Sequence, residues 1–460
     1  MASFPLFLEK FRARCQATPD KVAWSFLDDG GSVNDSFTYL ELDRATSALA
    51  KHLLMQCGLA RGDRVLLVFF PGLHFTASLL ACFKAGIIAV PVFPPDPTRL
   101  KKDLNHFVSI QSSSGSKVVL THSPYNHAKR LAGVTSLFSS GGETWPSLQW
   151  LQIDDVLARA KSNKSQGASA AAGSSAPAMP EPGAADIAFL QYTSGSTSEP
   201  KGVMITHGNL AHNLTLIIRE LKAEENTVNV SWLPQYHDMG LIGSYLGAVY
   251  CGGTGFYLSP ISFLKNPLVW MNSMSRYKGT HTQAPNFAYA LSARKYRESP
   301  RPPVGMDLSA VCHMINAAEP VDAAAMADFC SIYAAHGLPS NVVIPTYGLA
   351  EHTVFVASGG CTLLAVDKDA LEKHGAARVL QQATINTPES LELLSPRFVF
   401  VGVCVCTLYT FAYPNPNPTP KPNPKPNPNP NPNPNPNPNP NPTPNPNPTP
   451  NPLYTFAFRD

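Results

Sequence analysis

Helical and strand-like patterns alternate between residues 37 and 160, and this alternation constrains the fold more than any other feature. Apolar residues recur at helical spacing over 40–54, whereas residues 64–70 are apolar on both faces, as in a central parallel strand. After a turn at Pro71-Gly72, the pattern continues with a helix over 75–84 and strands over 87–92 and 117–121. One β-α-β unit followed by the start of another predicts an α/β fold with a doubly wound sheet.

Composition divides the rest of the chain. Residues 162–184 are rich in Ser, Ala, Gly and Pro and indicate a linker-like loop, after which a second α/β region runs to about residue 357. Further on, twenty prolines occupy every even position from 414 to 452, mostly alternating with Asn. Proline lacks the backbone N–H, so such a repeat can form neither a helix nor a paired strand. We therefore expect one incomplete domain over 1–400, with two doubly wound sheets, and a disordered low-complexity tail over 401–460.

The charge balance and the cysteines exclude several classes of function. The net charge of +3 falls to +1 once Lys421, Lys425, Arg459 and Asp460 are set aside with the tail, so the body offers no electrostatic footprint for nucleic acid. Nine cysteines occur without C-x-x-C pairs, which is typical of reduced thiols. No apolar run of eighteen residues and no secretory leader is evident, so we expect a cytoplasmic protein without a membrane span.

The stretch QYTSGSTSEPKGV, residues 191–203, places five Ser and Thr hydroxyls, two glycines and a lysine between two strand-like segments. Exposed N–H groups and hydroxyls can donate hydrogen bonds to a polyphosphate, and the lysine supplies a positive charge. The Walker pattern is absent, and a flexible polar turn is the alternative interpretation. The candidate phosphate-binding residues are Thr193, Ser194, Gly195, Ser196, Thr197, Lys201 and Gly202.

Three later segments also carry polar residues at the ends of predicted strands. They are SWLPQYHDMGLIG over 231–243, NAAEP over 316–320 and TYGLAE over 346–351. Taken alone, the His237-Asp238 pair is more often structural than functional, and Glu319 fits a strand-to-helix turn in which it faces a helix N-terminus. The last segment combines an aromatic ring, a glycine and a carboxylate, which suits a nucleotide and metal site. Aromatic residues around Phe263 and Tyr289 indicate a core, or else the wall of an acyl tunnel.

In this order, the four segments resemble the motifs of the adenylate-forming superfamily. With AGIIAVPVFPPDP over 85–97 and APNFAY over 284–289, the chain resembles the fatty acyl-AMP ligases. The resemblance implies catalytic roles for Lys201, His237 and Glu351. It places Ala317, Ala318 and Glu319 along the adenine and acyl pocket, Thr346 at the α-phosphate, and Tyr347 and Gly348 at the adenine. Thr197 and Glu351 would hold Mg²⁺.

The resemblance also implies a reaction. ATP and Mg²⁺ are the expected cofactors, a fatty acid is the substrate, and an acyl carrier protein or polyketide synthase is the expected partner. Attack of a carboxylate on the α-phosphorus needs no general base, because a carboxylic acid is already ionised at neutral pH. The site must instead neutralise charge, through donors, a cation and a metal ion. Residues from about 355 to 402 resemble the beginning of an insertion that, in these ligases, hinders the reaction with coenzyme A.

Two other interpretations stay open. A long-chain acyl-CoA synthetase would share the four motifs. In addition, no Thr-Gly-Asp motif and nothing resembling a lysine-bearing terminal domain follows Glu351. We therefore expect a C-terminally truncated ligase region whose transition-state stabilisation is reduced by orders of magnitude. The second alternative interpretation is that the chain is a catalytically inactive fragment, a nucleotide-binding remnant or the product of a broken gene model.

Overall fold

The computed structural model describes residues 4–96, 100–136, 145–162, 181–193, 200–299, 305–359, 362–376, 378–384 and 399–403. Most of the predicted linker, the Asn-Pro tail and the loop positions Ser194, Gly195, Ser196 and Thr197 lie outside these residues. The described strands are β1 Val22–Leu27, β2 Val33–Thr38, β3 Arg64–Leu67, β4 Ile88–Pro91, β5 Val118–Thr121, β6 Gln149–Gln152, β7 Ile187–Thr193, β8 Lys201–Thr206, β9 Val228–Ser231, β10 Thr254–Tyr257, β11 His281–Ala284, β12 His313–Asn316, β13 Val343–Gly348, β14 Phe355–Ser358, β15 Thr362–Val366, β16 Val379–Thr384 and β17 Val399–Val403.

Helices connect most of these strands. They are α1 Phe7–Ala17, α2 Tyr39–Met55, α3 Leu73–Ala85, α4 Leu100–Ser114, α5 Ser123–Ser136, α6 Asp154–Ser162, α7 His207–Glu220, α8 Gly247–Cys251, α9 Pro260–Lys265, α10 Leu268–Arg276, α11 Asn286–Glu298, α12 Ala323–Ala334 and α13 Lys368–His374. A π-helix covers Met239–Leu246, and a 3₁₀ helix covers Ala350–His352. None of the helices in the described segments is long and apolar enough to cross a membrane.

The first sheet has six strands in the order β6-β5-β3-β4-β7-β8. Its inner strands pair in parallel, and β3, α3 and β4 form the predicted β-α-β unit. Strand β3 ends at Leu67, three residues earlier than the pattern predicts. The last strand, β8, runs antiparallel to β7, so the sheet is mixed and not purely parallel.

The second sheet has eight strands in the order β14-β13-β12-β11-β9-β10-β1-β2. The six inner strands are parallel to one another, whereas the edge strands β2 and β14 are antiparallel to the strands beside them. This confirms the α/β prediction with two sheets and corrects its detail, because antiparallel strands close three of the four edges of these two sheets, β2, β8 and β14. Strands β15, β16 and β17 form a separate antiparallel sheet in the order β16-β15-β17.

One apolar core joins the two large sheets. It contains fully buried aromatic side chains of strands and of the helices packed against them, including Trp24 on β1, Phe83 on α3 and Tyr245 in the π-helix. Trp24 also donates from Nε1 to the carbonyl of Tyr245 (3.1 Å), so its one polar atom is satisfied inside the core. A smaller cluster packs on the other face of the six-stranded sheet, around Phe107 and Tyr125.

Gln235 fastens the two sheets together next to the predicted histidine motif. Its side chain accepts from the N–H of Gly72 and donates to the carbonyl of the same residue, both over 2.9 Å. Gly72 lies in the turn that follows β3, and Gln235 follows β9, so the pair spans the boundary between the sheets. The carbonyl of Tyr236, the residue after Gln235, accepts from the side chain of Gln191 on β7 (3.0 Å).

Replacing Gln235 with alanine should therefore destabilise the fold. Gln235 is buried, and without its amide the N–H and the carbonyl of Gly72 both lose their hydrogen-bond partner. We therefore expect the Gln235→Ala variant to lose about 1–3 kcal/mol of unfolding free energy. Urea denaturation followed by circular dichroism measures this. Gln152 on β6 is the control, since it is exposed and its alanine variant should stay within about 0.5 kcal/mol of the parent. Equal stability of the two variants would contradict the bridging role.

Candidate active site

Three of the predicted motifs line one pocket. It has a volume of about 220 Å³ and lies at the carboxyl ends of the parallel strands β11, β12 and β13, the usual place for ligands in an open α/β sheet. The motif residues on its wall are His237, Asp238, Met239, Gly243, Ala317, Ala318, Thr346, Tyr347 and Gly348. The sequence segments 231–243, 316–320 and 346–351 are thus brought together in space.

The His237-Asp238 pair stands at the entry to the π-helix. Nδ1 of His237 lies 2.9 Å from Oδ1 of Asp238, and the same carboxylate accepts from the N–H of Met239 (2.7 Å). Asp238 therefore caps the π-helix while it holds the imidazole. The hydrogen bond that Asp238 accepts from the imidazole raises the pKa of His237 against the opposing effect of burial. A histidine held in this way favours its protonated form and suits an anionic ligand.

The pair makes a pH-dependent contribution to stability. Since the pKa of His237 in the folded state lies above its unfolded value of 6.5, the contribution is fully present below that value and is lost as pH rises through the folded pKa. The Asp238→Asn variant keeps an oxygen for the cap but removes the charge. We expect a lower His237 pKa by NMR titration and a stability loss that disappears as pH rises through the folded-state pKa of the parent's His237. Asp369→Asn, at an exposed ion pair with Lys373, is the control, and an unmoved His237 pKa in Asp238→Asn would refute the coupling.

The NAAEP segment follows β12 and turns sharply. Ala318 adopts a positive φ of 71°, a conformation that costs a non-glycine residue about 1–2 kcal/mol. Glu319 lies beside the pocket and not on its wall, where its carboxylate accepts from the N–H of Phe287 over 2.5 Å. Asn316 is fully buried and donates to Asn286 (3.0 Å). The segment thus presents the backbone around Ala318 to the pocket, while Glu319 supports the first turn of α11.

The TYGLAE segment forms the end of β13 and the turn after it. Thr346 is half-buried, and its hydroxyl lies 3.0 Å from that of Ser358. Tyr347 lies on the pocket wall and is 42% exposed. A Cβ at position 348 would lie 2.1 Å from the carbonyl oxygen of Val354. Only glycine therefore fits where the chain doubles back against itself.

Glu351 lies in the turn between two pocket-lining residues, Gly348 and Val354, but not on the pocket wall. Its side chain is exposed on the 3₁₀ helix. No cluster of three or more His, Cys, Asp or Glu side chains suited to a metal occurs in the described part of the chain. A single carboxylate fits Mg²⁺, which is usually bound by one or two carboxylates together with substrate phosphates and water.

The predicted phosphate loop is bracketed by the hairpin of β7 and β8. Thr193 pairs with Lys201 where the two strands meet the loop. Gly202 packs against the ring of Tyr192, which would lie 2.8 Å from a Cβ at position 202. The side chain of Lys201 is exposed and forms no ion pair within the described residues. Neither Thr193 nor Lys201 lines the pocket. Their contact with a phosphate remains a prediction.

The pocket also has walls that the motifs do not predict. Helix α7 and the turn after it contribute Ile217 and Leu221, and β14 contributes Phe355. Gln283 on β11 is buried and accepts from the hydroxyl of Ser244 in the π-helix (2.5 Å). Its only sequence signal is its place immediately before the APNFAY segment.

Comparison with known proteins supports the motif assignment. The family described as AMP-binding enzyme matches residues 11–396. The medium-chain-fatty-acid–[acyl-carrier-protein] ligase JamA of Moorena producens is 33% identical over 375 residues, which cover 81% of this chain and 60% of that protein. A long-chain-fatty-acid–AMP ligase of Mycolicibacterium smegmatis is 31% identical over 373 residues, covering 76% of this chain and 54% of the relative. The chain therefore spans about three-fifths of the length of the curated relatives it matches.

Solved structures show the same relationship. A fatty acyl-adenylate ligase from Legionella pneumophila, determined in complex with acyl adenylate and pyrophosphate, superimposes with a TM-score of 0.69 and 32% identity over 82% of this chain and 61% of that one. The adenylation domain of a keto acid-selecting synthetase module has a TM-score of 0.69 at 20% identity over 84% of this chain and 69% of that one, which shows the shared fold. The predicted adenylate-forming fold and the resemblance to fatty acyl-AMP ligases are both confirmed, and the chain belongs to the AMP-binding enzyme family.

Proposed function

We propose that this chain carries the nucleotide- and acyl-binding region of a ligase that activates a fatty acid with ATP. The observation that carries the proposal is the convergence of the histidine, NAAEP and TYGLAE motifs on one pocket. Relatives named as fatty-acid–[acyl-carrier-protein] ligases support an acyl carrier protein as the acceptor. The products of the first step would be fatty acyl-adenylate and pyrophosphate.

The proposed chemistry is a displacement at phosphorus. A carboxylate oxygen of the fatty acid forms a bond to the α-phosphorus, and the bond from that phosphorus to the bridging oxygen of the β-phosphate breaks. His237, whose protonated form Asp238 favours, would stabilise the charge where carboxylate and α-phosphate meet. Lys201, at the start of β8, would neutralise the charge of the leaving pyrophosphate. No residue has to remove a proton.

The remaining pocket residues would position the nucleotide. Tyr347, an aromatic residue on the pocket wall, would stack on adenine, and the backbone at Ala317 and Ala318 would follow the base. Thr346 would donate to the α-phosphate. Mg²⁺, held by Glu351 and by Thr197 of the loop, would supply charge neutralisation to the triphosphate.

The test is fatty-acid-dependent exchange of labelled pyrophosphate into ATP, measured with the full 460-residue chain. Exchange that requires a fatty acid supports the proposal. ATP binding by calorimetry without exchange would favour the nucleotide-binding remnant, and absence of both would overturn the assignment. Supplying either coenzyme A or a phosphopantetheinylated carrier protein as the acceptor then separates the two enzyme classes, since robust acyl-CoA formation would identify an acyl-CoA synthetase.

A further inference from the structure

Helix α7 begins immediately after the β7–β8 hairpin and contacts the turn that carries Glu351. The contact is made by Asn213, a side chain with 1% exposure. Its Nδ2 donates to the carbonyls of His352 (3.3 Å) and Phe355 (2.9 Å), and its Oδ1 accepts from the N–H of Phe355 (3.0 Å). One amide thus satisfies three backbone groups on the two sides of the turn.

The turn needs an external support. Thr353 adopts a positive φ of 71°, which costs a residue with a branched side chain about 1–3 kcal/mol. The turn is closed locally by the short 3₁₀ helix and by a hydrogen bond from the N–H of Leu349 to the carbonyl of Val354 (2.9 Å), and strand β14 behind it is an edge strand. A strained turn at a sheet edge keeps one conformation only when its surroundings fix it.

We propose that Asn213 is a positioning residue that fixes the Glu351 carboxylate at the Mg²⁺ of the nucleotide. This rests on the function proposed above. Asn213 lies one helical turn before Ile217, which lines the pocket on the same helix. Helix α7 itself begins at the end of β8, where the Thr206 hydroxyl accepts from the N–H of Asn209 (3.0 Å). The helix therefore connects the strand that carries Lys201 with the turn that carries Glu351, so that the two proposed contacts to the triphosphate keep a fixed separation.

The chemistry of the contact calls for a primary amide. An aspartate in place of Asn213 would keep the acceptor for the N–H of Phe355 but would face two carbonyls without a donor. An alanine would remove all three contacts, leaving the carbonyl of His352 with the N–H of Val354 and the carbonyl of Phe355 with the imidazole of His352. The competing interpretation is that Asn213 only packs α7 against β14. The two interpretations differ in their consequence for Mg²⁺, because supports of a metal ligand typically change metal affinity by about 10–100-fold.

The experiment compares Asn213→Ala and Asn213→Asp with Thr215→Val. Thr215 lies on the same helix, and its hydroxyl contacts the carbonyl of Ala211 (2.8 Å) and the hydroxyl of Tyr250 (2.9 Å), away from the turn. In both Asn213 variants we expect the Mg²⁺ concentration for half-maximal pyrophosphate exchange to rise about tenfold or more, with an unchanged KM for the fatty acid. Thr215→Val should change neither quantity.

Two readouts do not require turnover. Hydrogen exchange of the backbone around Phe355 should accelerate in the Asn213 variants and not in Thr215→Val. In calorimetry, the Asn213 variants should need a higher Mg²⁺ concentration than the parent to give the same binding enthalpy for ATP. If the parent chain exchanges no pyrophosphate, the proposed function fails, while these two measurements still decide the role of Asn213. Faster hydrogen exchange at the backbone of Phe355, together with an unchanged Mg²⁺ requirement for ATP binding, would overturn the proposal. Should Asn213→Ala fail to fold, Asn213→Asp, which keeps the Phe355 contact, decides the question.

Discussion

A Gly348→Ala variant is expected to lose nucleotide binding and to be less stable than the parent. The added Cβ would lie 2.1 Å from the carbonyl oxygen of Val354, and because that oxygen belongs to the backbone, the turn itself must move. Overpacking of this kind usually costs about 1–3 kcal/mol of unfolding free energy. The displaced turn carries Glu351 and follows Tyr347, so both proposed contacts to ATP would shift together. Since a displacement of about 1 Å can cost about 100-fold in rate, we expect at least that loss in pyrophosphate exchange.

Gly243 supplies the control for stability. It also lines the pocket, but a Cβ placed there would meet no atom within 4 Å among the described residues beyond its chain neighbours and the backbone of its own helix. Its alanine variant should therefore keep the parent's unfolding free energy or gain up to about 1 kcal/mol, as alanine does in a helix. Thermal unfolding and ATP calorimetry on the two variants give the comparison. A Gly348→Ala protein with unaltered stability and ATP affinity would show that the turn at Val354 yields freely, against the geometry.

The sequence predicts where the polar motifs lie but not how the turns between them are held. Each of three motifs follows a strand, and parallel strands end at the same edge of a sheet, so their meeting at one pocket could be expected. The support by Asn213 could not, because an asparagine inside an amphipathic helix carries no signal of its own. Its partners, His352 and Phe355, are about 140 positions away in the chain, and their contact with it is made through backbone groups that the sequence does not distinguish.

The same limit applies to the sheet edges. Alternation of helix and strand predicts the parallel interior, and the buried strands β3 and β4 are apolar as expected. The direction of an edge strand depends on the connection that precedes it. Strand β8 returns through a short loop and must be antiparallel to β7, an arrangement that the two strand-like segments around the phosphate loop allow but that the doubly wound prediction leaves out. The roles of the predicted site residues in binding ATP remain predictions.

Lys201→Met should have the second large effect, a loss of about 100-fold or more in pyrophosphate exchange, comparable to removal of one charge-stabilising donor in an enzyme site. Register pairs from Ile187 with Thr206 to Thr193 with Lys201 fix the hairpin, so Lys201 is the first residue of β8 after the loop. Within the described residues no carboxylate pairs with it, which leaves its charge available to an anion. Because the side chain is exposed, unfolding free energy should change by less than about 0.5 kcal/mol.

The control is Lys265→Met on α9, another exposed lysine, which pairs with Asp29 over 3.5 Å and belongs to no motif. It removes the same charge from the protein, so any general electrostatic effect on ATP appears in both variants and only a local contact appears in Lys201→Met alone. Lys201→Arg separates charge from geometry, since it keeps the positive charge but changes its shape. If ATP affinity measured by calorimetry is the same in Lys201→Met and Lys265→Met, the hairpin does not hold the triphosphate and the assignment of the phosphate loop is wrong.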